Sequence, residues 1–200
     1  MAAFWSIKRT SSPSNLPVSL VEAKSHLRLS PNDTTHDDQL SLLLEAATER
    51  LEQDLDRQIM TATYCHEQLN WNQNDPVNGE IKLYRKAITA VTSVSYVDED
   101  GNVITLDPSE YVVDLVRSCV FPAAGTQWPT VHPNHPNAVS VDFTAGYGND
   151  GSTVPRLLKQ AILLCVGKWF FDPAQEGSAL HSQEIAYERI IALLGRATYP

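Results

Sequence analysis

The stretch Val91–Leu106, VTSVSYVDEDGNVITL, decides the fold. On both sides of Asp98-Glu-Asp-Gly101, β-branched and aromatic residues alternate with small polar ones. That is the pattern of two short strands joined by a turn whose glycine supplies the backbone freedom a hairpin needs. The hairpin lies between two regions of helical periodicity, so the chain combines a helical core with inserted strands.

Working outward, β character extends from Thr61 to about Thr144. Tyr111-Val-Val-Asp-Leu and Val139-Ser-Val-Asp-Phe-Thr predict further strands, and Pro122–Pro136 is too rich in proline for regular structure and reads as a long loop. Upstream, Ser19 followed by Glu22 is a capping box, opening a short helix with Leu20, Ala23 and Leu27 on one face. A longer helix is expected from a Thr35 N-cap, with Asp37 and Asp38 in its first turn and an apolar stripe of Leu40, Leu43, Leu44, Ala47, Leu51 and Leu55. Downstream, Pro155 fits a first helical position ahead of Leu158, Ala161, Ile162, Cys165 and Trp169. A last helix from about Gln183 presents Ile185, Arg189, Ile190, Leu193 and Leu194, with Gly195 placed to end it.

The expected fold is α+β: a four-helix core, two helices N-terminal and two C-terminal, with an inserted antiparallel β-rich subdomain. The expected divisions are an arm over 1–17, half of the core over 18–60, the insert over 61–152, and the other half with a tail over 153–200. A chain of 200 residues suffices for one real core, and 42% hydrophobic with 20% charged residues excludes disorder or a fibrous design. The formal net charge is −9 and no Lys/Arg run gathers, which argues against tight grip on a duplex. An acidic surface can still face DNA that must slide past. Three scattered cysteines without a Cys-x-x-Cys pair read as reduced thiols of a cytosolic protein. Neither a secretory signal nor a bilayer-spanning stretch is evident.

The sharpest enzymatic signal is Gly146-Tyr-Gly148-Asn-Asp-Gly151, a G-x-G-x-x-G string between a strand and a helix. A dinucleotide unit needs a second parallel strand after that helix, and none is predicted, so the reading is a turn. His132 and His135 lack the further ligands of a zinc site. Cys65 and His66 are adjacent in a strand and point to opposite faces, so they cannot act as thiol and base. Asp33, Asp37 and Asp38 are read as helix-capping residues and not as a cation site. No catalytic, cofactor or metal residue is therefore expected. Trp169-Phe170-Phe171 cannot all face one core from a helix; the outward ring would mark a protein interface, unless the β insert covers it.

The chain resembles the head-to-tail connector, or adaptor, proteins of tailed bacteriophages, in the form with a β insert in a small helical bundle. The likeness rests on Val18–Arg28, Asp37-Asp38 opening the Leu-rich helix, Val91–Tyr96 with Asp98–Gly101, Trp128-Pro129, Thr144–Gly148, and Val154-Pro155 leading into Lys159–Leu164. It departs at Leu83–Ile88, where such proteins often carry a proline-rich strand end, and in the Pro- and His-rich loop Trp128–Asn137. The resemblance implies a ring, expected to be a dodecamer, beneath the portal protein in the virion neck. A tail-proximal neck protein would lie below it, and genomic DNA would pass through its lumen. No membrane contact is implied, and the chain would be made in the bacterial host cytoplasm. Three alternatives stand beside it: another neck or tail-completion protein of the same virion, a nucleotide-binding enzyme using the Gly146–Gly151 loop, or a free host-directed binding module. Candidate interface residues are Phe4 and Trp5 in the arm, Trp169, Phe170 and Phe171, Tyr187 and Arg189 on the last helix, and Arg196 and Tyr199 in the tail.

Overall fold

The computed structural model describes residues 5–71, 79–172 and 181–196. The chain divides into a β unit, residues 1–12 and 61–146, and a helical unit, residues 13–60 and 147–200.

The β unit contains β1 (Trp5–Arg9), β2 (Ala62–Gln68), β3 (Ile81–Lys82), β4 (Ile88–Val97), β5 (Val103–Thr105), β6 (Tyr111–Asp114), β7 (Cys119–Pro122) and β8 (Val139–Ala145). Five of these strands form one sheet in the order β1-β2-β8-β4-β5, and a second sheet runs β3-β7-β6. Every pairing among the described residues is antiparallel. β8 shows why the larger sheet holds: Val139, Val141, Phe143 and Ala145 are buried while the residues between them are half-buried, the period of a strand with one core-facing side. β4 is less regular, because its register to β8 shifts between Ile88 and Ala90 and again between Val91 and Ser93. The hairpin closes as its sequence requires, with Gly101 at φ +87° and its N–H donating to the Asp98 carbonyl.

The Pro-rich loop between β7 and β8 is anchored by tryptophans. Trp71 and Trp128 stack at 4.5 Å with planes 6° apart. The Trp71 indole donates to the Pro129 carbonyl and the Trp128 indole to the Gly79 carbonyl, each at 2.7 Å. Buried indoles need such acceptors, and here they fix the loop to the core.

The helical unit contains α1 (Leu20–Leu27), α2 (Asp37–Leu55), α3 (Arg156–Phe171) and α4 (His181–Arg196). The capping box on α1 is formed: Ser19 Oγ accepts from Glu22 N–H, and Glu22 returns its carboxylate to Ser19 N–H at 2.8 Å. The α2 stripe Leu40, Leu44, Ala47, Leu51 and Leu55 is buried against Leu158, Ala161, Ile162 and Cys165 of α3. Where α2 ends, Asp56 takes a left-handed φ of 48°, and Ile59 N–H donates to the Glu52 carboxylate at 2.9 Å. Ile59 C=O then accepts from Tyr147 N–H at 2.8 Å, and Arg57 donates to the Tyr147 hydroxyl.

Several expectations need correction. Residues 5–9 of the expected arm form β1, paired to β2 in register Ile7↔His66. The strand was hidden because its partner lies more than fifty residues away, and non-local pairing leaves no local periodicity. Residues 13–17 belong with the helices, and the boundary after the insert falls at Gly146 and not at 152. The α2 N-cap is His36, since Asp33 accepts from Thr35 N–H and closes a separate turn first. Pro155 caps α3 from outside it. α4 starts at His181, and Gly195 lies inside it. Its inward face is Tyr187, Ile190, Ile191 and Leu194, spaced 3, 1 and 3, which leaves Leu193 62% exposed.

Candidate functional site

The groups with chemical potential are each engaged in ordinary structural contacts. Cys65 and His66 do face opposite ways: Cys65 Sγ lies 3.1 Å from Ser140 Oγ, while the His66 ring is buried, with Nε2 3.0 Å from Gln68 Oε1. Burial raises the Cys65 thiol pKa and lowers that of the His66 imidazole, so neither favours its charged form. Burial also pushes Cys119 and Cys165 up to about 11. The His132 and His135 rings accept at Nδ1 from Asn134 and Asn137 N–H, which makes them turn caps. Asp37 is 2.6 Å from Lys24 Nζ. Among the described residues no group of three or more metal-ligating side chains occurs, and no helix is long and apolar enough to cross a membrane.

The Gly146–Gly151 string is a turn. A Cβ on Gly148 would lie 2.4 Å from Thr153 Oγ1, and one on Gly151 would lie 2.6 Å from the Pro17 carbonyl oxygen. Asp150 accepts from Ser152 N–H at 2.6 Å, opening the short 3-10 turn Gly151–Thr153 ahead of α3. The glycines make room for protein backbone and side chain. Among the described residues the strand before the turn, β8, has only antiparallel neighbours, and no parallel βαβ frame of a dinucleotide site is formed. Nothing in this turn favours the nucleotide-binding alternative.

The interface candidates separate by burial. On β1, Trp5 is 37% exposed and stacks on Tyr84 at 4.1 Å with planes 10° apart. Of the three consecutive aromatics, Trp169 and Phe170 pack half-buried on the helical core, and Phe171 stands 59% exposed at the end of α3. One ring of the three does project outward. Arg189 is exposed and Arg196 is the last residue of α4. Phe4 and Tyr199 lie outside the described residues.

Tyr187 is the candidate the structure moves indoors. It is 2% exposed and donates its hydroxyl to Asp54 at 2.7 Å. Arg50 lies 4.5 Å above its ring and pairs with Glu184 at 2.8 Å, and Lys168 meets the other Glu184 oxygen at 2.7 Å. The Lys168 and Arg50 hydrogen bonds hold the Glu184 carboxyl below its usual range, while burial and Asp54 hold the Tyr187 phenol well above its own. This network bonds α2, α3 and α4 to one another and is structural. Exposed apolar residues outside the sequence-based candidates include Val103 at 72%, Val112 at 54% and Val116 at 75%. The Leu115-Val116 pair between Asp114 and Arg117 was a readable signal, since turn positions are ordinarily polar.

Residues 17–117 match the family model described as Phage gp6-like head-tail connector protein. No curated protein sequence matches the chain. Among solved structures, a chain in the neck of a native gene transfer agent particle, computed with C12 symmetry, superposes with TM-score 0.73 at 20% identity, covering 94% of each chain. A chain in the neck of an empty particle, computed with C6 symmetry, gives TM-score 0.71 at 21% identity, covering 92% of this chain and 94% of that one. A chain of the native particle's virion gives 0.71 at 19%, covering 90% and 94%.

Proposed function

The chain belongs to the Phage gp6-like head-tail connector family, and from that membership we propose that it is the ring-forming adaptor between the portal and the tail of its particle. The connector role is structural. The family match over residues 17–117 carries this reading, because it spans parts of both the helical and the β unit and not one shared element. The C6 and C12 symmetries of the necks that contain similar folds support a ring, with twelve copies as the expected number. Contacts between different surfaces of successive copies close into a ring when the rotation allows.

On this reading the adaptor docks on the portal protein on one side and on a tail-proximal neck protein on the other. It performs no catalysis, and DNA slides through the centre. The net charge of −9 supports a lumen that repels the phosphate backbone. Phe171 and Arg189 are offered as contact residues of the helical unit and Trp5 of the β unit, on the strength of their exposure. The test is electron microscopy of the purified chain mixed with the portal protein of its own particle. A ring on the portal is expected; no association at micromolar concentration overturns the reading, and a basic channel in the resulting map overturns the acidic lumen.

A further inference from the structure

Among the described residues no strand pairs with either edge of the five-stranded sheet, and the two edges differ in character. β5 is exposed along its whole length, with Val103 at 72% and Ile104 at 38%, and it holds no charge, proline, glycine or bulge. Its three-residue length is the one protection it has of those that solvent-facing sheet edges ordinarily carry. β1 is also an edge, and Lys8 and Arg9 stand exposed on it. Because each strand in the order β1-β2-β8-β4-β5 is antiparallel to its neighbour, the first and the fifth run in the same direction.

We propose that β5 of one copy pairs in parallel with β1 of the next, so that the five-stranded sheet continues from subunit to subunit around the ring. The inference rests on the ring reading above and names the lateral contact that reading needs.

The register follows from two constraints. Thr10 N–H bonds the Thr63 carbonyl, so by the antiparallel alternation Lys8 and Ser6 also turn their backbone groups to β2, and Trp5, Ile7 and Arg9 turn theirs to the open side. Leu106 N–H bonds the Val94 carbonyl, so on β5 the outward residues are Val103 and Thr105. The second constraint is the core face. Leu106 belongs to the apolar core and Ile104 shares its face, while on β1 Ile7 packs on that core and Trp5 shares its face. A slip of one residue would turn the apolar set to solvent.

Both constraints are met with Thr105 opposite Ser6. Thr105 N–H then reaches the Trp5 carbonyl, and Thr105 C=O receives Ile7 N–H. Ile104 falls beside Trp5 and Leu106 beside Ile7, extending the apolar face. On the other face exposed Asp107, one of whose carboxylate oxygens already accepts from Ser109 N–H, falls beside exposed Lys8, so the acid meets the base. The occupant of each open edge is thus a second copy of this chain.

The test uses the full chain assembled on its portal. Ser6→Cys and Thr105→Cys are introduced together, with Cys65→Ser because Cys65 lies opposite Lys8 on the face that Ser6 shares. Mild oxidation should give a disulfide ladder on a denaturing gel, and either single variant should give none. Rings seen by microscopy without a ladder overturn the inference while leaving the adaptor reading in place. A dimer from Thr105→Cys alone would show β5 pairing with itself and would also overturn it. A second measurement guards against a poorly folding pair: Lys8→Asp should weaken ring formation and Asp107→Lys in the same chain should recover part of it, the rest being lost with the Asp107 cap on Ser109 N–H. Unchanged assembly by Lys8→Asp counts against the pairing. If the unmodified chain forms no ring, the adaptor reading and this inference fail together.

Discussion

Arg50 stands where three helices meet, and one substitution there separates its roles. Its guanidinium pairs with Glu184 and covers the Tyr187 ring while its neighbours Asp54 and Tyr187 bond each other. Arg50→Ala removes a half-buried ion pair and a cation–π contact together, and should destabilise the helical unit by about 2 kcal/mol in a urea titration followed by circular dichroism. His66 makes the opposite kind of prediction. Burial holds its imidazole below the ordinary 6.5, so the folded state favours the neutral ring. The unfolded chain takes up a proton as pH falls through 6.5 and the folded chain does not, so stability is full above that value and is lost below it. The denaturation midpoint should fall between about pH 7 and about pH 5.5, and His66→Leu should flatten that slope whatever it does to the midpoint itself. A slope unchanged by the substitution would assign the acid sensitivity to other groups, with His26, whose pKa burial also lowers, the first to examine.

At the scale of elements, the turn between β8 and α3 shows what local sequence can state. Gly151→Ala would place a Cβ 2.6 Å from a backbone carbonyl that no side-chain rotation can move aside. A loss of about 1–3 kcal/mol is expected, measured by thermal unfolding. The capping box at Ser19, the α2 stripe and the Asp98–Gly101 hairpin were legible because each is written within a few residues. β1, β3 and β7 were not: they are two to five residues long, β1 and β3 pair only with distant strands, and β7, although it follows β6 across a short turn, ends at Pro122 where the sequence reads as loop. The same locality limits the interface residues. An aromatic excess at 169–171 is visible in sequence, and that one of the three rings faces outward follows from helix geometry, whereas its being Phe171 does not. The burial of Tyr187 does not, because it depends on Arg50 and Asp54 from a helix more than a hundred residues earlier.

For the whole molecule, assembly and stability should come apart. Phe171 is 59% exposed and touches Phe170 edge-on at 5.2 Å, so Phe171→Ser should change stability by no more than about 0.5 kcal/mol while weakening capture by the portal, measured by sedimentation of mixtures. Equal capture by the variant removes Phe171 from the contact. The interleaving of the two units along the chain has a consequence for synthesis. The β unit is complete once residue 146 is out, whereas α1 and α2 must wait for residues 147–200 before Leu40, Leu44 and Leu51 have α3 to cover them. During translation the nascent chain therefore carries an uncovered leucine stripe through the time taken to make the whole insert. That interval is when chaperone capture, or a pause that lengthens it, would govern the yield of soluble subunits.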